Sequence, residues 1–367
     1  MTEAPKHARM TPDPIAGLDG VVAATTTLSH VDGECGVLVL RGKNIEDLAG
    51  HMTFEQAVRH LWLDFDFPPE EALAAALGKA RLAAFAVVPL LEIAPATLSV
   101  YERMQLGLAA LPLARDLPAA IAISGALPVF LAASRRISTG RAPLMPDGTL
   151  ETAADLLRML SGETPPPAHT AALNRYLVTI LDHGLNASTF TARVIGSTQA
   201  DLKAAVLGAM GALGGPLHGG APGPVLDMID AIGSPENAAE WIRQALARKE
   251  RLMGFGHRIY RTRDPRADVL KAGLRLLGAD NPKVRLAEEI EQAALTALRE
   301  AKPGRPLDTN VEFYTAVLLD AIGMDRSLFT PLFAVGRTPG WCAHVLEQQK
   351  TGKLIRPSSH YVGPRAD

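Results

Sequence analysis

Two cysteines in 367 residues, Cys35 and Cys342, are too few and too far apart in sequence to staple a fold. They make no Cys-x-x-Cys pair, and nothing else in the chain points to an oxidising compartment. Aromatic residues are scarce at 5%. The formal net charge of −2 gives no whole-molecule attraction to nucleic acid or to an anionic membrane, so neither is expected as a partner. The opening stretch "MTEAPKHARMTPDP" has no apolar run, and its acidic residues argue against a transit peptide, so a cytoplasmic location is expected. Residues 117–134, "LPAAIAISGALPVFLAAS", run uncharged for 18 positions, the lower edge of a bilayer span. Two prolines, a glycine and two serines interrupt that run, and alanine dominates it, which suits a buried or interface helix better.

What is present is helix. Apolar residues recur at helical spacing: in "KVRLAEEIEQAALTAL" (283–298), Leu286, Ile290, Ala294 and Ala297 form one stripe, with Glu288, Glu289 and Glu291 off it. The same pattern predicts helices over 151–160, 170–182, 199–213, 236–249, 265–277 and 310–322. The exception is "SHVDGECGVLVLRG" (29–42), where Asp-Gly precedes a Val-rich run and predicts a small hairpin. The fold class is mainly α. At this length one hydrophobic core is rarely enough, so two domains are expected.

Beyond residue 180, glycines, histidines and arginines cluster. "DHGLNASTFTARV" carries His183, and "GALGGPLHGGAPG" places His218 among six glycines and two prolines. "RLMGFGHRIYRTRDPR" sets His257 after Gly254 and Gly256 and follows it with Arg258, Arg261, Arg263 and Arg266. "DTNVEFYTAVLLDAIG" has Glu312 at the mouth of an apolar helix, and the C-terminal segment supplies Arg337 and Arg356. Singly, each has an ordinary explanation: a solvated turn histidine, a helix cap, a solvated arginine face, a carboxylate on a helix dipole. Together they supply hydrogen-bond donors, a base and anion anchors. His218, His257 and Glu312 could also form a His₂Glu metal site, but no short ligand spacing exists, and the arginines near His257 suit an anion better.

At these residues the chain resembles the citrate synthase family. "GPLHGGA", "GFGHRIYRTRDPRA" and "NVEFYTAVLLDAIG" are similar to its three catalytic segments, in order and at matching intervals. "DHGLNASTFTARV" and "GRTPGWCAHVLEQ…RPSSHYVGP" are similar to its substrate-binding segments, and residues 17–49 to its opening hairpin and first helix. Residues about 78–165 carry little of the likeness.

The resemblance implies condensation of acetyl-CoA with oxaloacetate and hydrolysis of the citryl thioester, a reaction of the tricarboxylic acid cycle. Coenzyme A arrives as a substrate thioester, and no cofactor or metal is implied. Glu312 would take the methyl proton, His218 would donate to the thioester oxygen, and His257 would polarise the oxaloacetate carbonyl. Arg266, Arg337 and Arg356 would hold the oxaloacetate carboxylates, with Arg356 reaching in from the partner of a homodimer, and His183 as a further donor. Gly254, Phe255, Gly256, Arg258, Arg261 and Arg263 would face coenzyme A. A neutral His218 would suit its role, helped by a nearby helix N-terminus. The implied architecture is a large helical domain, 1–217 with 325–367, and a small helical domain, 218–324, which close over a cleft between them. The segment 117–134 would be an interface helix.

One residue departs from the pattern: most of the family has Asp where this chain has Glu312. A similar "NVEF" occurs in a group of short bacterial members that share the "GWCAH" segment. The extra methylene leaves open a slower enzyme or another acyl-CoA. The alternatives are therefore a 2-methylcitrate synthase using propionyl-CoA and a non-catalytic paralogue.

Overall fold

The computed structural model describes residues 16–18, 20–113, 117–218, 222–257, 259–278, 282–302, 304 and 307–364. A three-stranded antiparallel sheet comes first: β1 (Ser29–Asp32), β2 (Val37–Leu40) and β3 (Lys43–Asn44), with Ser29 opposite Leu40 and Val39 opposite Asn44. Its hairpin turn is the expected Asp-Gly stretch. On β2, Leu38 and Leu40 are buried while Val37 and Val39 are half-buried, the alternation that seats a small sheet on one face.

Helices make up the rest. The first seven are α1 (Ile45–Leu48), α2 (Phe54–Leu61), α3 (Glu70–Ala84), α4 (Val88–Ile93), α5 (Val100–Ala110), α6 (Ala119–Ser138) and α7 (Thr152–Ser161). Next come α8 (Pro167–Thr179), α9 (Ala187–Gly196), α10 (Leu202–Leu213), α11 (Pro222–Ile232) and α12 (Ala238–Ala247). The last are α13 (Pro265–Arg275), α14 (Pro282–Ala301), α15 (Val311–Ala321) and α16 (Phe329–Thr351). Several starts are set by side-chain caps. Thr53 and Ser99 form capping boxes with Gln56 and Glu102, while Asn186, Asp201, Asp264 and Asn310 each accept an amide of the first turn.

The alanine-rich α6 sits at the centre, packed by α3, α5, α7 and α16, and buried over most of its length. This agrees with the reading of 117–134 as a buried helix, since its apolar surface is covered within one chain. The region with little family likeness folds into α3 to α7 and is tied by a buried ion pair, Arg81 Nε to Asp155 Oδ2 at 2.9 Å. A second group forms where α13 and α11 pack on α15, and α12 on α14.

The C-terminal α16 crosses α9, α10, α6 and α8 and runs on through Pro339. Trp62 Nε1 donates to the Pro339 carbonyl at 3.0 Å, anchoring α16 to the end of α2. Gly340 lets this helix press against the end of α8. A Cβ there would stand 2.2 Å from the Leu181 carbonyl oxygen, so no other residue fits.

Candidate active site

Two loops are joined by main chain. Phe255 and Thr309 form an isolated antiparallel bridge, the Gly256 amide donates to the Asp308 carbonyl at 2.8 Å, and the Asn310 amide donates to the Gly254 carbonyl at 2.9 Å. Gly254 and Gly256 have φ of +83° and +79°, a conformation glycine adopts at little cost. Asn310 reinforces the joint: its Nδ2 donates to the Gly256 carbonyl at 2.8 Å, and its Oδ1 caps α15 by accepting the Glu312 amide at 3.0 Å. His257 and Glu312 are thereby held on one unit.

Asp264 caps α13 by accepting the Arg266 amide at 3.1 Å. The same carboxylate accepts Arg266 Nε and a terminal Arg266 nitrogen, and also the Val311 amide at 3.1 Å at the start of α15. Arg266 is buried, and burial acts against its charge, but Asp264 holds its pKa above the ordinary value.

The His257 ring turns Nδ1 back on its own loop, where it accepts the Ile259 and Tyr260 amides at 3.0 and 3.2 Å. The ring proton of the neutral form therefore sits on Nε2. That nitrogen lies 3.4 Å from Arg266 Nη2, another donor, so both point at a space that suits an oxygen acceptor. Burial, aided by Arg266, pushes the His257 pKa down to about 4. His183 packs edge-on to His257 at 5.9 Å between centroids, and its Nε2 meets Tyr260 Oη at 3.1 Å. Burial and the charges of Arg266 and Arg337 hold His183 well below the ordinary imidazole value.

Arg337, on α16, is buried, donates through Nε to the Ile180 carbonyl at 2.6 Å and lies over the Phe333 ring. Its terminal nitrogens hydrogen-bond no described residue. Burial lowers its pKa to about 10. A buried guanidinium with its fork unfilled is suited to a carboxylate.

His218 follows α10 and is half-buried. Its Nε2 meets Ser188 Oγ at 2.8 Å, at the first turn of α9. Ser188 also accepts Trp341 Nε1 at 3.2 Å and donates to Asn186 Oδ1 at 2.8 Å. If Ser188 turns that proton from Asn186 to His218 Nε2, the imidazole proton is left on Nδ1. Burial first, then Arg337, lowers the His218 pKa to about 4. The ring also stands at the N-terminal turn of α9 through Ser188, the kind of helix start expected to favour its neutral form.

Glu312 completes the group. A sliver of its surface reaches solvent, yet the surrounding protein raises its pKa to about 7 by burial, against the pull of Arg266 and Arg337. Tyr176 on α8 is fully buried, and its hydroxyl has no partner among the described residues. The charges of Glu312 and Arg337 both act on it.

The structure thus gathers His183, His257, Arg266, Arg337 and Glu312, with His218 adjoining through Ser188 and Arg337. His218, His257 and Glu312 do not converge as ligands: among the described residues no three His, Cys, Asp or Glu side chains lie together as metal ligands would. Arg356 stands apart, exposed on the extended segment after α16. Arg261 and Arg263 are exposed, and Arg263 pairs with Asp268. Phe255 is buried with its ring on Phe313, and Arg258 lies outside the described residues. Reading the sequence missed Asp264, Ser188, Asp182 and Tyr260. The signal for Asp264 was there in "RDPR", an N-cap followed by proline at the first helical position.

A family model described as "Citrate synthase, C-terminal domain" matches residues 17–358. "Citrate synthase 2" of Bacillus subtilis is 37% identical over 368 residues, covering 95% of this chain and 95% of that protein. "2-methylcitrate synthase" of Mycobacterium tuberculosis is 36% identical over 364 residues, covering 96% and 91%. The citrate synthase of Thermoplasma acidophilum, solved as a ternary complex with carboxymethyl coenzyme A and oxaloacetate, superposes with a TM-score of 0.85. It is 27% identical and covers 96% of both chains.

Proposed function

Because the chain belongs to the citrate synthase family and is a transferase of that type, we propose that it condenses acetyl-CoA with oxaloacetate and hydrolyses the product thioester to citrate and coenzyme A. The observation that carries this reading is a carboxylate raised to about 7 beside buried arginines and imidazoles lowered to about 4. Such a set holds a base and neutral donors side by side at neutral pH.

In this reading the Glu312 carboxylate takes a proton from the acetyl methyl. The electron pair moves to the thioester oxygen, where His218 Nδ1–H, freed by the Ser188 bond to Nε2, stabilises the enolate. The enolate carbon attacks the oxaloacetate carbonyl carbon, and His257 Nε2–H meets the oxygen that gains charge. Water then cleaves the thioester and releases the thiol. Arg266 and the unfilled fork of Arg337 hold the oxaloacetate carboxylates, and His183 adds a donor. Residues 254–256 face coenzyme A through main chain, since Phe255 is packed inward, and Arg258, Arg261 and Arg263 serve its phosphates.

Residues 218–324 act as a smaller domain that closes on the remainder and excludes water before the enolate forms. Arg356 is exposed and hydrogen-bonds no described residue of its own chain, which supports a role in the neighbouring site of a homodimer.

Thiol release from acetyl-CoA and from propionyl-CoA, each with and without oxaloacetate, tests the reading. Oxaloacetate-dependent release with acetyl-CoA is expected to exceed that with propionyl-CoA. One methylene shifts preference by about 1–3 kcal/mol, so a reversed ratio would make the chain a 2-methylcitrate synthase. No release with either substrate sinks both.

A further inference from the structure

His183 joins the gathered side chains from a turn whose supports lie outside that group. The residues on either side of it are tied to one hydroxyl: Ser29 Oγ, on β1, donates to Asp182 Oδ2 at 2.5 Å and accepts the Gly184 amide at 3.1 Å. The other support is His344 on α16, whose Nε2 lies 3.1 and 3.2 Å from the two Asp182 oxygens. Arg193 Nε, which can only donate, meets His344 Nδ1 at 2.9 Å, so the ring proton sits on Nε2 and points at Asp182. Arg193 is fixed in turn by Glu347 and by Gln348 Oε1 at 2.9 Å, and Glu347 accepts the Thr27 amide at 2.8 Å. Asp182, His344 and Arg193 are all buried. Burial alone would raise the Asp182 pKa, and His344, Arg337 and Ser29 outweigh it.

We propose that Ser29 and His344 are positioning residues for His183: through Asp182 and the Gly184 amide they hold the turn so that the ring keeps its edge-on contact with His257 and its bond to Tyr260. This gives the N-terminal hairpin and the "GWCAH" histidine a shared task in substrate binding, although neither touches substrate. The inference rests on the reading of His183 as an oxaloacetate ligand.

Ser29 is the place to test it, since it is half-buried and Asp182 keeps His344 when the hydroxyl is lost. Ser29→Ala, Ser29→Thr and His183→Ala are compared in the full-length protein. Ser29→Ala is expected to raise the KM for oxaloacetate about tenfold, the scale of a lost hydrogen bond, with kcat and the acetyl-CoA KM changed by less than about twofold. Hydrogen exchange at the Gly184 amide should speed up in the same variant. Ser29→Thr, which keeps the hydroxyl, should restore both, and His183→Ala should raise the oxaloacetate KM at least as far. An unchanged oxaloacetate KM in Ser29→Ala, beside a raised one in His183→Ala, overturns the positioning role alone. An unchanged KM in His183→Ala removes the reading of His183 and this inference with it. A loss spread evenly over both substrates and not rescued by Thr marks a purely structural serine and also overturns it.

Discussion

Asp264 grips Arg266 with both carboxylate oxygens, Nε at 3.0 Å on one and a terminal nitrogen at 2.9 Å on the other. Because the second oxygen also takes the Val311 amide, a single carboxylate sets the anchor on α13 and the start of the helix that bears Glu312.

Asp264→Asn keeps the shape and removes the charge that faces a buried guanidinium. Breaking a buried pair from one side costs about 3–5 kcal/mol, so the denaturation midpoint should fall clearly. Oxaloacetate binding should weaken as well, because Arg266 loses its orientation. Equal midpoints for variant and wild type would mean that Arg266 finds another partner.

Glu312→Gln keeps size but cannot accept a proton. The kcat is expected to fall about 10²-fold or more, the range for loss of a general base. Oxaloacetate affinity should hold, as its carboxylates rest on arginines. Glu312→Asp should give an intermediate rate, since a misplacement of about 1 Å can cost about 10²-fold. Near-wild-type turnover in the Gln variant would require a different base.

The raised Glu312 pKa has two readouts with opposite signs. Turnover needs the ionised form, so kcat/KM for acetyl-CoA should drop as pH falls below about 7, and this limb should vanish in Glu312→Gln. Stability runs the other way. Between about 4.5 and 7 the unfolded carboxylate gives up its proton before the folded one does, so the folded state loses ground as pH rises. Above pH 7 the Gln variant should therefore be the more stable protein, by up to about 3 kcal/mol. Denaturant titrations at pH 5 and pH 8 measure this. A difference independent of pH would contradict it.

If Arg356 serves the neighbouring subunit, Arg356→Ala and His218→Ala should each be inactive alone. Mixed after subunit exchange, they should regain up to one working site per dimer. No recovery in a verified mixed dimer would return Arg356 to its own chain or to the surface.

Much of this could be read from the sequence because the signals are local. Asp-Gly before a Val-rich run marks the hairpin, 3.6-residue periodicity marks α13 to α15, and glycines mark the loops bearing His218 and His257. What escaped is pairing over long separations. Ser29 meets Asp182, and Arg193 meets His344, across about 150 residues, and nothing in the local chemistry of a serine or an arginine names its partner. Phe255 sits in a loop that looks exposed, yet its ring packs on Phe313 because the main-chain bridge to Thr309 turns it inward.

That bridge has a mechanical consequence. With residues 254–256 stitched to 308–310 by backbone, the imidazole of His257 and the carboxylate of Glu312 ride on one rigid plate, and no movement of one helix against another alters their spacing. Its weak points are the two glycines, since a Cβ on Gly254 would stand 2.7 Å from Phe313 Cβ and one on Gly256 2.8 Å from Leu307 Cδ2. The reach of the acid itself is then the adjustable dimension, as a cutter is extended in a fixed holder. Glu312→Asp would shorten that dimension by one methylene and leave the plate as it is.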